Sequence, residues 1–184
     1  MERVTDEELV QRAQAGDSAA FDEIVERHKG AVFRAALAAL RNREDAEDVT
    51  QETFITAYRK LDAFRGESQL RTWLSRIAWN RSMDYRRRGR NRSFLHLDEP
   101  DAVELPTAEA SPEQATLTSS VHARVRLEIS RLPENLRDTL LLASGGDHDY
   151  ASIAEMLGVR EGTVKSRVFE ARAMLRATLK DMER

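Results

Sequence analysis

The stretch Asp149-Tyr150-Ala151-Ser152-Ile153-Ala154-Glu155-Met156-Leu157-Gly158-Val159-Arg160-Glu161-Gly162-Thr163-Val164-Lys165-Ser166-Arg167-Val168 decides how this chain is read. Asp149 stands where an N-cap belongs, so a short helix is predicted over Tyr150 to Leu157, and Gly158 supplies the turn that ends it. A second helix is predicted from about Glu161 to Leu179, because Val164, Val168, Ala171 and Leu175 recur at helical spacing. A helix, a glycine-containing turn and a basic second helix are the layout of a helix-turn-helix. On the second helix Thr163, Ser166, Arg167 and Glu170 share a face turned away from the apolar stripe. Short hydroxyls let such a face approach a DNA groove closely, an arginine can pair with guanine, and a carboxylate can accept from cytosine. Lys165 and Arg172 lie beside it, placed for phosphates. A purely structural amphipathic helix would carry the same stripe; the turn ahead of it favours DNA recognition.

Working outward, charge is segregated along the chain. The formal net charge is −3, which on its own does not suggest a nucleic-acid ligand. Yet Arg160 to Lys180 holds six basic residues against Glu161 and Glu170, and Arg71 to Arg92 holds eight arginines against the single acid Asp84. Between these basic stretches, residues 93–117 carry six acids (Asp98, Glu99, Asp101, Glu104, Glu109, Glu113), no Lys or Arg, and Pro100, Pro106 and Pro112. A segment so poor in apolar periodicity cannot bury enough surface to offset its ordering entropy, so a flexible acidic linker is expected there. Phosphate neutralisation needs local positive charge, and two basic modules on an acidic tether meet that need at two places.

The remaining periodic segments also repeat near 3.6 residues, which predicts an all-α fold of two small helical domains, residues 1–92 and 118–184. Thr5 with Glu8 forms a capping box, Gly16 ends that helix, and Asp17 caps the next, in which Gly30 suggests a break. A third helix is predicted from about Glu44 to Leu61, with Val49, Thr53, Phe54, Ala57 and Leu61 as its core face. Its opposite face gathers Asp45, Asp48, Gln51, Glu52 and Arg59 around Ile55. A charged face is ordinarily just solvated, but an isoleucine inside an acidic stripe points to a protein partner with a basic surface.

Phe64 to Trp73 is expected to form a loop pivoting on Gly66, followed by a helix from about Leu70 to Arg88. Phe64, Arg65, Ser68, Trp73, Arg76, Trp79, Asn80, Arg86 and Arg87 place aromatic, amide and guanidinium groups close together. Single-stranded bases need those groups: π faces to stack on, hydrogen bonds for base edges and cations for phosphates. The alternative is that both tryptophans belong to the core.

The same sequence excludes several function classes. It contains no cysteine, which removes disulfides, thiolate catalysis and thiolate-ligated zinc. His28, His96, His122 and His148 lack metal-ligand spacing, so no metal or other cofactor is expected. No run approaches the roughly 18 apolar residues of a membrane span, and the amino terminus is acidic and polar, so a cytoplasmic protein is expected. No nucleophile–base pair or glycine-rich phosphate loop supports an enzyme or a small-molecule substrate.

Asp45-Ala-Glu-Asp-Val-Thr-Gln-Glu-Thr-Phe54, Leu61-Asp-Ala-Phe-Arg-Gly-Glu-Ser68 and Thr72-Trp-Leu-Ser-Arg-Ile-Ala-Trp-Asn80 resemble region 2 of extracytoplasmic-function sigma factors of the sigma-70 family. Leu132-Pro133, Ser152-Ile-Ala-Glu-Met-Leu-Gly158 and Glu161-Gly-Thr-Val-Lys-Ser-Arg167 resemble region 4 of the same family. The resemblance covers both expected domains and implies an alternative sigma factor for transcription initiation. It implies that Asp45, Asp48, Gln51, Glu52 and Ile55 dock on the clamp helices of the RNA polymerase β′ subunit. Phe64, Arg65, Ser68, Trp73, Arg76, Asn80, Arg86 and Arg87 would hold the melted minus-10 element. Thr163, Lys165, Ser166, Arg167, Glu170 and Arg172 would read the duplex minus-35 element, with a contact to the β flap. Family members are commonly held by an anti-sigma factor, so such a partner is implied too. The chain departs from the pattern in Ser144-Gly-Gly-Asp-His-Asp149, which is richer in glycine and acid, and in Ala151-Ser152, where two acids are usual and whose absence is expected to weaken the helix cap. The rival reading is a conventional regulator with a sensor over residues 1–92 and an operator-binding helix-turn-helix.

Overall fold

The computed structural model describes residues 4–93 and 115–181, and among them there are eight α-helices and no strand. They are α1 (Asp6–Gln14), α2 (Ser18–Leu40), α3 (Arg43–Lys60), α4 (Leu70–Ser93), α5 (Ala115–Arg131), α6 (Glu134–Ser144), α7 (Tyr150–Leu157) and α8 (Glu161–Asp181). Of the expected linker, residues 94–114 lie outside the described residues, while Ser93 belongs to α4 and Ala115 to α5.

Side chains that satisfy free N–H groups set the helix starts. Glu8 N–H donates to Thr5 Oγ1 at 3.2 Å while Thr5 N–H donates to Glu8 Oε2 at 2.8 Å, the reciprocal capping box. Asp17 caps α2 by accepting from Ala20 N–H, Asn42 caps α3 by accepting from Asp45 N–H, and Asp149 caps α7 by accepting from Ser152 N–H. With Ala151-Ser152 in place of two acids, α7 is still capped, since Asp149 accepts from the backbone N–H of Ser152 at 2.8 Å. Arg41 leaves α2 in the left-handed region at φ 58°, which costs a non-glycine residue about 1 kcal/mol and turns the chain so that Asn42 can start α3.

The break suggested at Gly30 is absent, since α2 continues through it. An interior glycine weakens a helix by about 1 kcal/mol relative to alanine. Buried Ile24, His28, Ala31 and Val32 on either side anchor the helix and outweigh that loss. At the end of α3, Leu61–Ala63 tightens into a 3-10 turn.

Helices α1 to α4 form one bundle. Leu9, Val10, Phe21, Ile24, Val32, Phe54, Leu61, Leu70 and Leu74 interlock at its centre. His28 is sealed beneath α1, its Nε2 3.0 Å from Asp6 Oδ2, and burial holds its imidazole below the ordinary pKa. Helices α6, α7 and α8 carry the second unit, in which Gly158 takes φ 65° between α7 and α8, as the helix-turn-helix reading requires.

The two units are not separate beads. One hydrophobic cluster runs from Ala35, Ala36, Leu37, Ala38, Ala39, Leu40 and Trp79 into Leu136, Leu140, Leu141, Ile153, Met156, Val164 and Val168. Its amino-terminal share is mostly alanine, and its carboxy-terminal share mostly leucine, isoleucine and valine. Helix α4 meets α7, and α2 meets α6, along this seam.

Candidate polymerase-docking and nucleic-acid surfaces

On α3 the predicted docking residues share one outward stripe. Asp48, Gln51, Glu52 and Ile55 are exposed and Asp45 is half-buried, with Ile55 retaining 53% of its surface. The stripe contains a residue the sequence reading missed: Tyr58, 58% exposed, stands one turn beyond Ile55 with its ring edge-on to Phe21 at 4.9 Å. The i, i+3 spacing from Ile55 was the available signal. Helix α4 braces the acids of this stripe. Arg81 donates to Glu52 Oε2 at 2.5 Å and to Thr56 Oγ1, and Tyr85 OH donates to Asp45 Oδ1 at 2.5 Å. Tyr85 is therefore turned towards α3, and 44% of its surface stays exposed.

The loop before α4 is pinned from behind. Gln14 Nε2 donates to the carbonyls of Leu61 and Phe64 at 2.9 and 3.1 Å, and Gly66 supplies the left-handed turn at φ 73°. Phe64 tilts against Trp73 with ring centroids 5.0 Å apart, both half-buried, while Arg65 is exposed and Ser68 half-buried. An open cleft of about 390 Å³ lies beside the loop, walled by Val10, Phe64, Gly66, Ser68 and Arg71, with Asp6 and Glu7 at its α1 edge. Phe64 is the one aromatic side chain in its wall, and Ser68 and Arg71 add polar groups.

The remaining predicted minus-10 residues do not form one patch. Asn80 is exposed over the groove between α3 and α4, which it shares with Glu52 and Arg81, and Arg87 projects into solvent beside Asp84 at 2.7 Å. Trp79 is core, 5% exposed, so it offers no face to a base in this arrangement. Arg76 lies 3.6 Å from Glu155 of α7. Arg86 is 11% exposed, donates to Asp138 Oδ2 at 2.8 Å and also contacts Glu134. Burial pushes the Asp138 carboxyl above the ordinary carboxylate range, although Arg86 beside it acts in the opposite sense.

Helix α8 presents its residues as its periodicity predicts. Val164, Val168 and Ala171 are buried and Leu175 half-buried, while Ser166, Glu170, Lys165 and Arg172 are exposed and Thr163 and Arg167 half-exposed. Lys165 is held by Glu161 at 2.7 Å, and that hydrogen bond raises its pKa. The reading missed Phe169, which leaves 70% of its surface in solvent on the flank of the Ser166 face. Its signal was an aromatic lying off the apolar stripe.

Among the described residues no group of three His, Asp or Glu side chains could hold a metal ion. No described helix is long and apolar enough to cross a membrane.

Comparison with known proteins gives a consistent picture. Residues 24–92 match the family model of Sigma-70 region 2, and residues 122–175 that of Sigma-70, region 4. The chain is 36% identical to the RNA polymerase sigma-H factor of Pseudomonas aeruginosa, over 97% of this chain and 96% of that one. It is 38% identical to the ECF RNA polymerase sigma-E factor of Haemophilus influenzae, over 95% of each. Among solved structures, CnrH in complex with the cytosolic domain of CnrY aligns with a TM-score of 0.69 at 27% identity, over 96% of this chain and 97% of that one. The sigma factor RpoE of Bartonella quintana, in complex with the anti-sigma factor NepR, aligns with a TM-score of 0.65 at 26% identity, over 87% of this chain and 96% of that one.

Proposed function

Because this chain belongs to the sigma-70 family, as an extracytoplasmic-function member and so an alternative sigma factor for transcription initiation, we propose that α3 docks it on core RNA polymerase while α4 and α8 engage the promoter. The observation that supports the division of labour is the separation of surface chemistries. Ile55 and Tyr58 stand among Asp48, Gln51 and Glu52 on α3, whereas α8 offers Ser166, Arg167, Glu170 and Arg172 to solvent.

In this reading the basic β′ clamp helices meet the α3 stripe, where apolar contact supplies affinity and the acids supply orientation. The loop from Phe64 to Ser68 takes up a base of the melted minus-10 element in the cleft beside it, with Trp73 backing Phe64. Arg76, Asn80, Arg86 and Arg87 serve the adjoining strand. Capturing unstacked bases offsets part of the energy of opening the duplex. Helix α8 enters the major groove of the minus-35 element, with Thr163, Ser166, Arg167 and Glu170 at base edges and Lys165 and Arg172 on phosphates, while the second unit touches the β flap. The protein acts in the cytoplasm as a non-catalytic subunit and is held in reserve by an anti-sigma factor, as the RpoE–NepR pairing suggests.

Run-off transcription with purified core enzyme and a promoter library tests the reading. The chain plus core should initiate from a defined subset of promoters. Tight binding to duplex operator by the chain alone, with no transcription, would favour the conventional regulator instead.

A further inference from the structure

The loop from Phe64 to Ser68 has little packing to hold its shape. Arg65 and Gly66 are exposed, and nothing lies within 4 Å of where a Cβ would stand on Gly66. Phe64 and Gly66 also wall a second open cleft, of about 310 Å³, on the side of Val10, Gln11 and Gln14. A loop with so few neighbours keeps one conformation only where its backbone polar groups are tied down. The tie here is Gln14, the last residue of α1. Its Nε2 donates to the Leu61 carbonyl at 2.9 Å and to the Phe64 carbonyl at 3.1 Å. Both acceptors are carbonyls, so the amide nitrogen must face them, and both of its N–H groups are engaged. The Leu61 carbonyl accepts in addition from Phe64 N–H at 2.9 Å, which joins the tether and the 3-10 turn at one atom. Holding the Phe64 carbonyl fixes the peptide plane that follows it, and with it the direction of Arg65 N–H.

Helix α1 is a firm anchor for this tether. Leu9 and Val10 are buried in the bundle, Arg27 Nη1 donates to the Val4 carbonyl and to Asp6 Oδ1, both at 2.9 Å, and Arg12 pairs with Asp17 at 2.7 Å. We infer that Gln14 is a positioning residue for base capture: without touching DNA, it holds the loop in the shape that admits one base in preference to the others. The inference rests on the reading of this loop as the receiver of a melted minus-10 base. A site ordered beforehand does not have to be ordered at binding, and only the base that fits the ordered shape gains from that. A loop released from Gln14 would take every base with similar weakness.

The test uses holoenzyme and fluorescein-labelled fork-junction DNAs taken from a promoter that the run-off library selects. Each carries a different base at one melted minus-10 position, and affinity is read by anisotropy. Wild type should favour one base at one position. Gln14→Met keeps the length of the side chain and removes its donors. It should lose about tenfold on the favoured base, the order of the hydrogen bonds removed, and little on the other three. Gln14→Lys supplies N–H groups within reach of the same carbonyls and should regain most of the preference. Gln11→Met, the same change at an exposed α1 glutamine lining the second cleft, should leave the profile as it is. An unchanged Gln14→Met profile, an equal loss on all four bases, or a loss that Gln14→Lys does not reverse overturns the inference. Phe64→Ala tells that failure from a deeper one. A wild-type profile that is flat, or that Phe64→Ala leaves unchanged, brings down the reading of the loop itself.

Discussion

Burial and exposure give single residues their tests. His28 and His148 are both held below the ordinary imidazole pKa, burial being the largest cause in each. A lowered histidine pKa means that the unfolded chain takes up protons which the folded chain refuses, so stability is intact above the ordinary value of about 6.5 and declines as pH falls below it. Thermal melts across that range should show the midpoint dropping on acidification, and His28→Gln should flatten the drop. On the surface, Glu52→Lys with Asp48→Lys should abolish capture by core polymerase; both sites are exposed, and losing the Arg81–Glu52 pair should lower stability by no more than about 1 kcal/mol. Phe169→Ala should weaken duplex minus-35 binding in footprints of the holoenzyme and leave thermal stability unchanged, because that ring is not part of the core. Phe169 and Tyr58 are not legible in the sequence, because an isolated aromatic on a polar helix face carries no charge signal and fits an apolar stripe equally well. Trp79 could not be assigned between core and surface for a different reason. Helix α4 bears arginine on nearly every side, so its apolar stripes do not stand out and the buried one cannot be told from the exposed one by period alone.

At the level of elements the sequence was far more legible, because caps and turns are local. Thr5, Asp17 and Asp149 cap the helices at the positions their residue types predict, and Gly158 turns where a left-handed residue is needed. Gly158→Ala should therefore lower stability by about 1 kcal/mol through left-handed strain, and weaken minus-35 binding further by tilting α8. A urea titration and a footprint separate the two effects. Gly30 shows the limit of local reading: the same residue type signals a break, yet burial on both sides carries the helix through it. The bracing of α3 by α4 was equally hidden, since Arg81 and Glu52 are 29 positions apart and Tyr85 and Asp45 are 40 apart. Neither pair has a sequence signature.

For the whole molecule, the two-unit division could be read from the charge and proline pattern, but the seating of one unit on the other could not. Arg34 and Asp147 are separated by 113 residues, and nothing in the string announces that they meet. Ion pairs with partly exposed members are screened by salt, whereas an alanine-and-leucine cluster is not. Raising ionic strength should therefore loosen the Arg34–Asp147 and Arg76–Glu155 contacts first. Amide exchange at α6 and α7 should quicken with added salt while that of α2 and α3 in the first bundle stays constant.

The alanines at the end of α2 have a consequence for how readily the halves part and meet again. A methyl group has no rotamer to lose or to relearn, so ordering Ala35, Ala36, Ala38 and Ala39 is free of side-chain entropy. Where such methyl groups meet the leucines of the other unit there is little to interlock, and Leu37, Leu40 and Trp79 are the larger side chains of the amino-terminal share. Such a joint favours quick, repeated separation over permanence, which suits a subunit that is recruited, used and released.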